Sequence, residues 1–79
     1  MYTVKIAKHR NAHTLATEYR IEINRLVGTK LRGVTRSAAL PTRPSIDDAA
    51  AYAASVGFTA TDVLTVSDRV TLLRAEPSA

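Results

Sequence analysis

Apolar and polar residues alternate strictly at the start of the chain. In "YTVKIAK", Tyr2, Val4 and Ile6 point one way and Thr3, Lys5 and Ala7 the other, which is the period of a half-buried β-strand. "HRNAHT" breaks the alternation and reads as a loop. It resumes from Thr17, with Tyr19, Ile21 and Ile23 on one face and Glu18, Arg20, Glu22 and Asn24 on the other. Gly28-Thr29 suits a tight turn because glycine accepts positive φ. "KLRGVTRS" then returns as a third strand, with Gly33 marking a bulge or kink. A turn at Gly28-Thr29 sets Arg25 opposite Arg32, Ile23 opposite Val34 and Ile21 opposite Arg36.

The pattern changes after the third strand. Two prolines close together in "AALPTRP" exclude helix and central strand there, so this segment carries the chain into another layer. In "SIDDAAAYAASVGF" the apolar period becomes helical, with Ile46, Ala49, Ala50, Ala53 and Val56 on one stripe. Ser45 is the expected N-cap, with Asp48 placed to complete a capping box. Asp47 and Asp48 also complement the positive end of the helix dipole. Gly57 suits a left-handed C′ position, with Phe58 folding back on the last turn. "TATDVLTVSDRVTLLRAE" gives two further strands. Pairing Val66 with Val70 and Leu64 with Leu72 leaves Ser67-Asp68-Arg69 as the loop.

These elements predict an α+β fold of order β-β-β-α-β-β. One helix covers one face of one sheet, so a single, mostly antiparallel sheet is expected, with its other face solvated or held by a partner. With 79 residues the chain is long enough for one domain, taken as residues 1–75, with 76–79 as a flexible tail. Many of its hydrophobic residues are alanines, so the layers must pack closely and leave no room for a deep cofactor cavity. No cofactor is expected.

Charge adds a polarity that the pattern alone does not show. Residues 1–43 carry nine cations and two anions, a net +7, whereas residues 44–79 carry two cations and five anions, a net −3, giving +4 overall. Asymmetry of this kind points to an electrostatic partner. With no cysteine, disulfides, thiolate metal sites and thiol nucleophiles are excluded. The opening "MYTVKIAKHR" lacks the apolar run of a signal peptide. No stretch approaches the roughly 18 apolar residues of a membrane span. A soluble, cytoplasmic protein with no membrane partner is expected.

Little in the chain suggests catalysis. His9 and His13 have the spacing of helical metal ligands, but they lie among Lys8 and Arg10 with no third ligand, and nearby cations oppose a divalent metal. Asp47 and Asp48 are neighbours that point about 100° apart on a helix, so they do not form a facing acid/base pair. No glycine-rich phosphate loop occurs, and a thin core offers little material for a water-excluding cleft. A non-enzymatic protein is expected, with no catalytic, cofactor or metal residues.

The cationic hairpin is the remaining feature. Arg20, Arg25, Lys30, Arg32 and Arg36 are the candidate partner-binding residues, set against Glu18 and Glu22 alone in the same stretch. Like charges directly opposite one another destabilise a hairpin, so Arg25 and Arg32 make sense beneath an anionic partner. They make equal sense as charges that keep a strand edge from aggregating. An anionic partner is either nucleic acid or an acidic protein surface. Single-strand binders add stacking aromatics to their phosphate contacts, and this chain has only Tyr2, Tyr19, Tyr52 and Phe58. The expectation therefore leans towards an acidic protein surface, with nucleic acid as the alternative. Monomer and dimer both stay open.

The helix "SIDDAAAYAASVGF" running into the hairpin "DVLTVSDRVTLLR", preceded by basic strands in a short cysteine-free chain, resembles the anti-CRISPR proteins encoded by phages. The likeness is one of size and architecture over most of the chain, and it carries no functional residue across. It implies an inhibitor, acting in the host-cell cytoplasm, that docks on acidic Cas subunits of a type I surveillance complex or near the guide backbone and excludes target DNA. The basic charge departs from the acidic DNA mimicry common among such inhibitors. The alternative is a small basic accessory protein of a phage or mobile element that binds nucleic acid or regulates transcription.

Overall fold

The alternation of the N-terminal half folds into an antiparallel meander. The computed structural model describes residues 1–67 and 70–78. Its elements are β1 (Tyr2–Arg10), β2 (Thr17–Val27), β3 (Lys30–Arg36), α1 (Ile46–Ser55), β4 (Phe58–Val66) and β5 (Val70–Pro77). The five strands form one sheet in the order β3-β2-β1-β5-β4, and each neighbouring pair is antiparallel. β1 is central, the first and last strands lie side by side, and β3 and β4 form the two edges. This is the α+β architecture that the sequence predicts.

Cross-strand rows define the two faces. Val4 sits between Ile23 and Leu73, and Ile6 between Ile21 and Thr71. These aliphatic side chains, with Ala75 and the helix residues Ala49 and Ala53, are buried and form the core. Ala49 and Ala53 are four residues apart and therefore share one helix face; both are 0% exposed, because a methyl group lets the helix lie close on the sheet. A helix of 10 residues is about 15 Å long, and five strands span roughly 19 Å. α1 can therefore touch both sides of the sheet. Tyr52 Oη lies 3.1 Å from Thr35 Oγ1 on β3, while Ile46 and Ala50 line a cleft with Asp62 and Val63 on β4.

The ends of α1 are specified as expected. Ser45 Oγ accepts from Asp48 N–H, and Asp48 Oδ2 accepts from Ser45 N–H, each at 3.0 Å. The backbone bond from Ser45, and then its hydroxyl, hold the Asp48 carboxyl below its ordinary pKa against a small opposing desolvation. Gly57 has φ +89°, the left-handed conformation that ends the helix. One position on the helix stripe differs from expectation. Ile46 is 42% exposed, in the first turn beside the edge strand β4. Phe58 packs against the core that includes Ala53 of the last turn. Gly57 feeds the chain straight into β4, whose first residue is Phe58, and its ring packs 4.9 Å from that of Tyr2.

Strand limits and registers also differ in places. β1 continues through His9 and Arg10, which pair with Glu18 and Thr17. The loop over residues 11–16 is closed by Asn11, whose Oδ1 accepts from the His13 and Thr14 N–H groups. Arg25 does lie opposite Arg32. A register shift beside Gly33, however, sets Ile23 opposite Thr35 and Glu22 opposite Arg36. In the second hairpin Val66 pairs with Thr71 and Thr65 with Leu72, one residue away from the expected register. Asp68 and Arg69 of the expected loop lie outside the described residues. The shift inverts β5: Thr71, Leu73 and Ala75 face the helix, while Val70, Leu72 and Arg74 face away. Buried Thr71 is tolerated because its hydroxyl accepts from Arg43 Nη2 at 3.0 Å, a group that also donates to Ser67 O at 2.7 Å. Nor do residues 76–78 form a tail. Glu76 and Pro77 pair with Thr59 and Phe58, and Ser78 N–H donates to Gly57 O at 2.8 Å.

Candidate functional site

The β2–β3 hairpin concentrates cations because its turn is tight. Gly28 takes φ +63°, so Val27 pairs with Lys30, Leu26 with Leu31 and Arg25 with Arg32. Arg25 also pairs with Tyr2 on its other side. Its two cross-strand neighbours are thus an aromatic ring and a second guanidinium, with no carboxylate beside it. Arg25, Lys30 and Arg32 are all exposed. Among the described residues the one ion-pair contact is His9 Nε2 to Glu18 Oε2 at 3.4 Å, which is charged only with His9 protonated. No lysine or arginine among them is paired with a carboxylate of another described residue.

The other two candidates are in a different setting. Arg36 lies opposite Glu22, and Glu22 lies opposite Lys5. Arg20, two residues before Glu22, shares this helix-free face, and its Nη1 donates to Ser37 O at 3.0 Å. Arg20 and Arg36 therefore surround one carboxylate, while Arg25, Lys30 and Arg32 have none. The five expected residues divide into two groups, and the group nearest the turn is the uncompensated one.

The structure adds two cations to those expected. Lys5 on β1 and Arg74 on β5 both lie on the helix-free face, and Arg74 is opposite Thr3. Arg74 belongs to the acidic half of the chain, so the split of charge along the sequence is not a clean split in space. The β1–β5 pairing brings it across, and no local pattern announces that pairing. Thr3 and Asn24, paired with each other, form a buried polar centre on this face, and Thr3 Oγ1 has no hydrogen-bond partner.

His9 and His13 do not converge. His9 faces Glu18, which also accepts from Asn11 Nδ2 at 3.1 Å, whereas His13 lies in the loop. No three metal-ligating side chains come together among the described residues. Among the described residues no helix is long and apolar enough to cross a membrane.

All four aromatic rings lie on the helix side of the sheet. Tyr2 packs on Phe58, Tyr52 is in α1 and bonded to Thr35, and Tyr19 alternates with Ile21 and Ile23. The helix-free face offers charge and hydroxyl groups but no ring on which a base could stack. The surface is thus that of a small α+β module with a cationic edge. Comparison with known proteins finds no matching family model, no matching curated protein and no matching solved structure.

Proposed function

We propose that this is a non-enzymatic binding protein that docks its β2–β3 hairpin on an acidic protein surface. The observation that carries the reading is the Arg25–Arg32 pair. Two exposed guanidinium groups stand directly opposite each other with no carboxylate in contact. Such a pair costs the isolated hairpin stability and gains favourable energy once an anionic surface lies over it. Complementary charge also speeds and orients association. Tyr2, the aromatic residue paired with Arg25 on the same face, is packed on Phe58, and this favours a protein partner over single-stranded nucleic acid, whose binders rely on stacking.

The resemblance in size and in helix-then-hairpin plan makes a type I CRISPR–Cas surveillance complex the partner to try first. On this reading the hairpin occupies an acidic Cas surface and blocks target-DNA binding. The purified protein is added to such complexes and target-DNA binding is measured. Loss of DNA binding supports the reading, and unchanged binding across type I complexes removes that partner. The second reading is a nucleic-acid-binding accessory protein, favoured by the additional cations Lys5 and Arg74 on the helix-free face. Mobility shift with bare duplex and single-stranded DNA at two salt concentrations separates the two. Tight and strongly salt-dependent binding would favour nucleic acid.

A further inference from the structure

The two free edges of the sheet are complementary to each other. β3, "KLRGVTR", carries Lys30, Arg32 and Arg36 and no acid, with Leu31 43% and Val34 50% exposed. β4, "FTATDVLTV", carries Asp62 and no cation, with Val63 51%, Leu64 40% and Val66 65% exposed. Asp47 and Asp48 in the adjacent first turn of α1 add to the negative charge of that side. Arg43, bonded to Ser67 O at the end of β4, offsets only part of that charge, so each edge presents unpaired backbone, exposed aliphatic groups and an excess of one sign of charge, and the signs are opposite.

We infer that a second copy of this chain docks head to tail, the β3 edge of one molecule against the β4 edge of the next. The net charge of +4 per chain opposes association but does not decide it. The Debye length is about 8 Å at physiological ionic strength, and the two edges of a five-stranded sheet are roughly 19 Å apart. Charges at the contact are felt, and those on the far edge are largely screened. The two-fold alternative, β4 against β4, brings two acidic edges together and is disfavoured by the same argument. β4 has two register shifts against β5, which interrupt its outer backbone. The contact therefore rests on side chains and a short run of backbone pairing, and it is weak and concentration-dependent. Because it is heterologous it repeats, giving open series of oligomers in place of a closed dimer. The contact shares β3 and Arg32 with the proposed docking hairpin and adds the β4 edge, which takes no part in that reading.

The test is sedimentation velocity over a concentration series at low and high salt, with Arg32→Glu and Asp62→Lys. Both side chains are exposed, so folding is expected to survive either change. Wild type grows in average mass with concentration and less so at high salt. Each variant alone self-associates about tenfold more weakly, since a like-charge contact replaces an attractive one. Mixing the two variants restores association, because the intact β3 of one meets the intact β4 of the other. A wild type that stays monomeric up to millimolar concentration overturns the inference. So does an Arg32→Glu variant that associates like wild type. Asp62→Lys leaves the cationic hairpin intact, so its binding to an acidic partner is unaffected and reports separately on the proposed function.

Discussion

β3 and β4 are both edge strands of one sheet, and they are kept from indiscriminate pairing in different ways. β3 has one register shift against its neighbour and three cations along its length. β4 has two shifts and a single charge, Asp62. Charged side chains and bulges are both devices that blunt an exposed edge, and here one edge relies on each. The helix sharpens the contrast. Its Ile46–Ala50 end lines a cleft with β4, whereas towards β3 the Tyr52 hydroxyl bonds to Thr35. The β4 side is therefore held by apolar packing and the β3 side mainly by hydrogen bonds, which leaves the β3 surface free to carry unbalanced charge.

The largest effect that would break this contrast comes from Leu73→Ala. Leu73 is 3% exposed and pairs with Val4 and Val63, so its loss opens a cavity under β4 and should cost about 2–5 kcal/mol. Leu31→Ala on the exposed β3 edge should change stability by less than about 0.5 kcal/mol; chemical denaturation of both measures the difference. Next in size is Arg43→Ala, which leaves the buried Thr71 hydroxyl and the Ser67 carbonyl without their donor. About 1–3 kcal/mol is expected, with faster amide exchange concentrated in β4 and β5. Tyr52→Phe removes only the bond to Thr35 and should cost roughly 0.5–1.5 kcal/mol, with the exchange increase confined to the β3 side.

The smallest effect is a pH dependence at the helix end. Asp48 is held below its ordinary pKa by Ser45, so it contributes stability that is full above the unfolded value of about 3.9 and is lost as pH falls through the lower folded value. Asp48→Asn should flatten the acid side of a thermal-melt profile, while Asp47→Asn should not. Equal profiles for both variants would show that the capping box is not the source.

Local chemistry was the most readable part of the fold. The capping box, the left-handed Gly57 and the Gly28 turn each depend on a few adjacent residues, and each is where the sequence places it. Registers past a bulge were not readable. The shift beside Gly33 moves Arg36 from Ile21 to Glu22, and this turns an apparently uncompensated cation into one facing a carboxylate. The double leucine at Leu72-Leu73 satisfies either face of a strand, so alternation could not say which one points to the core. The β1–β5 pairing decides for Leu73, and with it places Arg74 on the helix-free face. "EPSA" looked like a tail because Pro77 and Ser78 favour ends, yet Ser78 is bonded to Gly57. Of the site, the Arg25–Arg32 opposition was legible because only the two-residue turn separates those strands, whereas the contributions of Lys5 and Arg74 depend on long-range pairing.

On the proposed reading, Arg25 and Arg32 serve a partner and do not stabilise the fold. The double variant Arg25→Ala with Arg32→Ala tests it most directly, in a thermal melt of the isolated protein run beside a binding measurement on the acidic partner. A melting temperature equal to or above that of wild type is expected, together with clearly weakened binding. A much lower melting temperature with normal binding would contradict it and make the two arginines structural.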